Sequence, residues 1–300
     1  MKIIAIIQAR MGSTRLENKV MKPINAKPMI ELLLMRLTKS KLIQKIVVAT
    51  SKDKKNLPLI KHVESLGFSC EQGSEDDVLD RYLIAAQFTK ADIVIRITGD
   101  CPLVDPDLVD EVVEGFHESK VDYYSNTAPP TFPDGLDIEV FSYEALERSS
   151  LETNNPHDRE HVTSYLRESG NFKTGSFTYS KDISNYRWTV DEASDLRVIR
   201  NIFDWFSPDV HFSWKEVVKL EESNPDIFIA NQQITRNEGL QMSKGQKLWK
   251  HAKSIIPGGN MLLSKRSEMI LPEQWPSYFT RAKGCMVWDL DNIPYKDISI

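Results

Sequence analysis

Disulfide-forming cysteine pairs, membrane-length apolar runs and an excess of positive charge are all missing from this 300-residue sequence. Cys70, Cys101 and Cys285 lie far apart and spell neither a metal-ligand spacing nor a disulfide framework, so a reducing compartment is expected. The opening MKIIAIIQAR holds an apolar stretch too short for a signal core or a membrane span, and no later segment is long enough either. A cytoplasmic protein with no membrane partner is the expectation. A formal net charge of -5 leaves no globally basic face, which excludes a general nucleic-acid binder while allowing a local phosphate site. Two familiar phosphate-binding spellings, GxxxxGK[ST] and GxGxxG, are absent as well, which disfavours a P-loop and a dinucleotide fold.

What is present is an alternation of short apolar runs and helical patterns. Residues 2–7 are rich in Ile without alternation, as in a strand buried on both faces. Helical spacing follows over Pro28–Leu42, then a strand at 45–50 (KIVVAT), a helix at 57–66 ending at Gly67, and a short strand at 68–70. An amphipathic helix at 76–89 and a strand at 92–98 (DIVIRIT) complete the series. Such repetition predicts an α/β fold, a mostly parallel sheet flanked by helices, with ligands beyond the carboxyl ends of its strands. The loops at 8–15 and 99–102 both follow strands and should meet there. From 120 to 190 the pattern weakens, and DIEVFS and FKTGSFTY read as strands of an inserted or lid subregion. RWTVDEASDL reads as a strand entering a helix, and residues 211–229 as one more helix. Polar residues from 231 to 245 suggest a boundary, giving a domain over 1–235, a linker over 236–245 and a short α+β segment over 246–300.

The first loop, QARMGSTRLENK, concentrates phosphate-binding chemistry. Gly12 lets backbone N–H groups approach an anion, Ser13 and Thr14 offer hydroxyls, and Arg10, Arg15 and Lys19 supply charge. The same three cations could equally solvate a surface turn. In the second loop, Thr98-Gly99-Asp100-Cys101-Pro102, the Asp100 carboxylate could hold Mg²⁺ against triphosphate oxygens, or could simply sit in a turn or cap the helix that follows.

IIAIIQARMGSTRLENKVM resembles the signature of the sugar-acid cytidylyltransferases, the CMP-Kdo and CMP-sialic acid synthetases, and most of all the branch called spore coat polysaccharide biosynthesis protein F. ITGDCPLVDPDLVD, GLDIEVFSYEALERS, DREHVT and RWTVDEASDL resemble that branch's later blocks in the same order, over roughly residues 1–230. The resemblance implies a Rossmann-like nucleotide-diphospho-sugar transferase fold that binds CTP along Gln8, Ala9, Arg10, Gly12, Ser13, Thr14, Thr98 and Gly99. Arg15, Lys19 and Asp100 would be catalytic, with Mg²⁺ between Asp100 and Asp191, and Asp80 and Arg81 would face the base. Asp137, Glu139, Arg159, Glu160 and His161 would bind a sugar-acid or sugar-phosphate acceptor. From the residues alone, Asp191 could equally cap a helix, Asp80 and Arg81 could lie on an exposed helix face, and His161 could be structural. The family's Pro-Gly is replaced here by Glu17-Asn18, which changes the turn and adds a negative charge beside the proposed phosphates.

Residues 243–300 resemble the opening of a class III, PLP-dependent aminotransferase of the glutamate-1-semialdehyde aminomutase type, through SKGQKLWKHAKSIIPGGNMLLSKR and RAKGCMVWDLDNIPYKDIS. The Schiff-base lysine of that family lies further on, so PLP is expected only in a longer form of the chain. CMP transfer from CTP in surface-glycan synthesis is the leading expectation, with a homodimer plausible. The alternatives are a nucleotide-sugar-dependent glycosyltransferase, for which Asp289-Leu290-Asp291 has a metal-binding spelling, and a degenerate nucleotide-binding module fused to an aminotransferase.

Overall fold

Every residue from Ile3 to Ile7 is buried, because the strand they form, β1 (Ile3–Gln8), has a helix layer on each face. Its odd-numbered side chains join one apolar cluster and its even-numbered ones the other, which is why the run shows no polar alternation. The computed structural model describes residues 1–13, 15–234, 244–259, 266 and 276–296. Thr14 and most of the expected linker lie outside the described residues. The chain divides into two compact units, Met1–Gln233 and Ile234–Ile300.

In the first unit the chain continues through α1 (Met29–Leu37), β2 (Lys45–Ser51), α2 (Leu57–Ser65), β3 (Ser69–Gly73), α3 (Val78–Thr89), β4 (Ile93–Thr98) and α4 (Pro106–Ser119). After these come β5 (Tyr123–Ser125), β6 (Glu139–Ser142), α5 (Tyr143–Glu152), α6 (Pro156–His161), α7 (Ser164–Glu168), β7 (Thr174–Ser176), α8 (Ala193–Phe206) and α9 (Trp214–Ser223). One seven-stranded sheet runs in the order β3-β2-β1-β4-β6-β5-β7. The pairings β2–β1, β1–β4, β2–β3 and β5–β7 are parallel, and β6 is antiparallel to both its neighbours. Successive strands leave β1 in opposite directions, so the crevice beyond the ends of β1 and β4 is the topological switch point where such sheets bind ligands.

Two expectations for the region after residue 120 are corrected. DIEVFS and FKTGSFTY do not form a separate lid: Glu139–Ser142 pairs with β4, and Thr174–Ser176 pairs with β5 in the same sheet. Short strands at a sheet edge carry too little periodicity to be told from a subdomain. RWTVDEASDL enters a helix as expected, at Ala193, but the stretch before it makes no strand ladder; Trp188 N–H donates to Asp134 O at 2.6 Å and Val190 N–H to Asp100 O at 2.8 Å.

Two buried polar residues fix the approach to the switch point. Arg36 of α1 is fully buried and donates to the carbonyls of Leu103, Val104, Val210 and Phe212 at 2.6–3.2 Å, with burial pulling its pKa down to about 10. Asp105 caps α4 through Asp107 and Leu108 N–H and also accepts Trp214 N–H at 2.8 Å. The helix that follows Gly-Asp-Cys-Pro is therefore capped by Asp105, and Asp100 is left for other work.

The second unit holds a helix, α10 (Lys244–Ile255), and a three-stranded antiparallel sheet of β8 (Phe279–Lys283), β9 (Met286–Asp289) and β10 (Pro294–Lys296). Residues 244 and 245, expected in the linker, are already helical. Asp289 accepts the N–H groups of Asp291 and Ile293 and the Tyr295 hydroxyl at 2.8–3.1 Å, so Asp-Leu-Asp here builds a turn. Among the described residues, no helix is long and apolar enough to cross a membrane.

Burial pushes the Glu221 carboxyl of α9 up to about 7, opposed by the Trp188 indole N–H that donates to it at 2.7 Å. A carboxyl raised on folding stabilises the protein fully below its unfolded pKa and loses that contribution as pH rises through its folded value. Glu221→Gln is therefore expected to gain about 2–3 kcal/mol on the wild type between pH 5 and pH 8, roughly 5–10 °C in paired thermal melts.

Candidate functional site

Beyond Gln8 the chain is steered across the sheet edge by its neighbours. Ala9 N–H donates to Ala49 O at 3.2 Å, and Met11 N–H donates to the buried Asn56 Oδ1 at 2.8 Å, with Asn56 held in turn by Ser51. Ser13 Oγ accepts Leu16 N–H at 3.3 Å. Asn18 then takes a left-handed conformation, φ 56° and ψ 30°, and launches the short helical turn Lys19–Met21. Asparagine is one of the few residues that tolerates this region, and Glu17 stays exposed.

Across the switch point, Gly99 N–H donates to Gln8 O at 2.8 Å. A Cβ at Gly99 would come within 2.9 Å of Ala9 Cβ and 3.0 Å of Gln8 O, so glycine is what lets β1 and β4 close up as Asp100 emerges. There Lys19 Nζ lies 2.7 Å from Asp100 Oδ2 and 2.9 Å from Asp191 Oδ1, and Arg15 Nη2 lies 2.7 Å from Asp191 Oδ1. Burial opposes the charge of Lys19, yet the two carboxylates raise its pKa above the ordinary lysine value. Burial likewise works to raise Asp100, and the Lys19 ammonium overrides it and holds the carboxyl at about 2. Asp191 does not cap α8: the N–H groups of Asp191 and Glu192 both donate to Asp195, at 2.9 Å.

The other sequence-derived residues fall into separate groups. Arg10 turns away from this cluster and pairs with Glu75 Oε1 at 2.6 Å, where Gly12 also lies nearby. Arg81 is only 2% exposed, which corrects the reading of an exposed helix face, and it donates to the carbonyls of Ser74 and Glu75. Asp80, half-buried, offers its backbone N–H to Asp77 Oδ1, the cap of α3. Gln8 and Thr98 are register partners on one face of the sheet, where Gln8 Oε1 accepts from Arg96 at 3.4 Å.

Glu139 is buried, ion-paired with Arg96 and bonded by the Tyr123 hydroxyl at 2.8 Å. Asp137 precedes the strand, so it does not alternate with Glu139 along one ladder. Arg159 is tied to Asp77 Oδ2 at 2.5 Å and to the carbonyls of Ser150 and Thr153. Glu160 is exposed, and the His161 ring lies tilted by 56° against that of His157 at a centroid distance of 4.5 Å. Just beyond, Val162 has φ 64° and ψ -58°, with Thr163 N–H on His161 O at 2.6 Å. This is a γ-turn of the rare, strained hand.

Several residues of the site escape a reading of the first loop. Arg187, Asp134 and Asp195 form a buried ionic group behind Asp191, Arg96 lies under the sheet end, and Glu75 answers Arg10. A signal exists for two of them. Arg96 interrupts the apolar run DIVIRIT, and Arg187 stands directly before a buried Trp188; a charged group in such a setting needs partners.

A cationic loop and two facing carboxylates thus meet at the switch point of a mostly parallel sheet. A family model described as Cytidylyltransferase matches residues 4–234. The spore coat polysaccharide biosynthesis protein SpsF of Bacillus subtilis is 33% identical over 233 residues, 75% of this chain and 95% of that protein. A 3-deoxy-manno-octulosonate cytidylyltransferase of Geotalea daltonii is 34% identical over 120 residues, 39% of this chain and 46% of that protein. The solved structure of a cytidylyltransferase from Leptospira borgpetersenii superposes with a TM-score of 0.74 at 33% identity, covering 79% of this chain and all of that one, 100%. The chain belongs to the cytidylyltransferase family, and so to the CTP-dependent nucleotidyltransferases. The family match ends at residue 234 and leaves the second unit outside it.

Because Asn18 sets the turn that delivers Lys19, Asn18→Gly is expected to keep stability and turnover near wild type. Asn18→Val, which forces a β-branched residue into the left-handed region, should lose about 1–2 kcal/mol of stability and lower kcat. Thermal melts and pyrophosphate release measured on both variants check this.

Proposed function

We propose that this protein transfers CMP from CTP to a sugar acid, releasing pyrophosphate, in the synthesis of a surface polysaccharide precursor. The observation that carries the reading is the single ammonium of Lys19 held between Asp100 and Asp191 at the switch point, with Arg15 beside it. Arg15 and Lys19 are placed to take triphosphate oxygens, with Gly12 and Ser13 lining the loop. Arg10 and Arg81 stand on the side of β3 with Glu75, and this is the side assigned to the nucleoside.

A divalent cation suits the same place. Asp100 and Asp191 direct hard oxygen donors at one cation position, and phosphate oxygens and waters would complete the six ligands that Mg²⁺ requires. Among the described residues no third His, Cys, Asp or Glu completes a cluster of that kind. A divalent cation held by Asp100 and Asp191 would neutralise triphosphate charge. The protein's own contribution is in-line positioning and fixed positive charge. The acceptor hydroxyl oxygen forms its bond to the α-phosphorus and releases its proton to solvent, as the bond from that phosphorus to the α,β-bridging oxygen breaks and pyrophosphate departs against Arg15 and Lys19.

For the acceptor, the polar face formed by Gln8, Thr98, Arg96 and Glu139 at the end of β4 and β6, next to the strained turn at Val162, is the assigned surface. The names of its relatives support a sugar acid.

Pyrophosphate release with CTP, ATP, GTP and UTP against a panel of sugar acids and sugar phosphates tests the reading. Release should be CTP-selective, and Arg15→Ala and Asp100→Asn should each lower kcat/KM by about 10²–10³-fold, the usual effect of removing one charge-stabilising group. Equal use of all four nucleotides, or full activity in Asp100→Asn, would overturn it.

A further inference from the structure

The two oxygens of Asp191 have different partners. Oδ1 faces the site, 2.9 Å from Lys19 Nζ and 2.7 Å from Arg15 Nη2, while Oδ2 turns inward to Arg187 Nη2 at 3.3 Å. Arg187 has a side chain only 6% exposed, and its fork is fully used. Nη1 donates to Asp134 Oδ2 at 2.8 Å, and Nε and Nη2 grip the two oxygens of Asp195 at 2.9 and 3.0 Å. Asp195, wholly buried, in turn accepts the backbone N–H groups of Asp191 and Glu192 and the amide of Asn231, each at 2.9 Å. Both the backbone and the side chain of Asp191 therefore hang from one guanidinium–carboxylate pair. The segment around it, Trp188 to Glu192, has no strand ladder to fix it otherwise.

We infer that Arg187 is a positioning residue for nucleotidyl transfer: by holding Oδ2 of Asp191 it keeps Oδ1 turned toward the cation position shared with Asp100. This rests on the cation-binding reading of Asp100 and Asp191 given above. A planar fork can serve three carboxylates at fixed angles, which a lysine ammonium cannot, and partners of this kind orient metal-binding carboxylates elsewhere. A purely structural brace would make the opposite forecast at one residue. Asp134 is held by Nη1 of the same guanidinium, whereas Asp191 is held by Nη2.

The experiment uses the full chain as wild type, Arg187→Lys, Asp134→Asn, Asp191→Asn and the Arg187→Lys/Asp191→Asn double variant. Thermal melts, CTP binding without metal, kcat, and Mn²⁺ binding in the presence of CTP by electron paramagnetic resonance are measured on each. Arg187→Lys should weaken Mn²⁺ binding and lower kcat by about 10–100-fold while leaving metal-free CTP affinity within about threefold. Asp134→Asn should lose stability yet hold Mn²⁺ within about threefold, and Arg187→Lys should add nothing further once Asp191 is Asn.

Mn²⁺ binding unchanged in Arg187→Lys but lost in Asp191→Asn would overturn the inference, as would additive losses in the double variant. If Arg187→Lys does not fold, Asp134→Asn decides: retained Mn²⁺ binding supports the inference, and a loss above about tenfold overturns it. Unchanged Mn²⁺ binding in Asp191→Asn would instead sink the cation reading itself, and the role of Arg187 with it.

Discussion

One ammonium, Lys19 Nζ, joins two carboxylates that lie 81 and 172 residues further along the chain. Without it, Asp100 and Asp191 would face each other across the switch point as like charges, an arrangement that drives one of a pair to protonate. With it, the ends of the first and second loops and the segment before α8 are drawn to a common point. Opposite charges brought together at that point set the positions of the three side chains on which the proposed chemistry relies.

The rest of the first unit can be understood as what keeps the three partners in place. β1 and β4 lie in contact because Gly99 has no side chain, and this sets where Asp100 leaves the sheet. Lys19 is delivered by a left-handed asparagine and a helical turn. Asp191 hangs from the Arg187–Asp195 pair. Arg36, with four carbonyl acceptors and no carboxylate in hydrogen-bond contact, fastens the stretch after Asp100 to the stretch before α9. Breaking a buried arrangement of this kind by removing one partner costs about 3–5 kcal/mol, so these are strong constraints on a fold of ordinary marginal stability.

Much of this was open to inspection in the residue order. The Ile-rich first strand, KIVVAT and DIVIRIT announced buried strands because their runs lacked alternation, and each is a central strand here. The loops containing Arg15, Lys19 and Asp100 could be placed together from strand order alone. The region after residue 120 was misread as a lid because three- and four-residue strands leave no usable period, and their pairing is set by neighbours distant in sequence. Which carboxylate a long side chain reaches depends on folded distance, so the pairing of Arg159 with Asp77 and of Arg10 with Glu75 could not be read from sequence.

By itself, then, the sequence determined the strand-and-helix alternation, the position of the cationic loop and the presence of acidic residues after the strand ends, because these are properties of local pattern and composition. Only the tertiary structure decided which acid answers which cation: Asp191 rather than a helix cap, Asp105 rather than Asp100 as the cap of α4, and Arg187 behind Asp191. Ion pairs act over a few ångströms between residues separated by tens to hundreds of positions, and no local rule of sequence fixes those distances until the sheet is assembled.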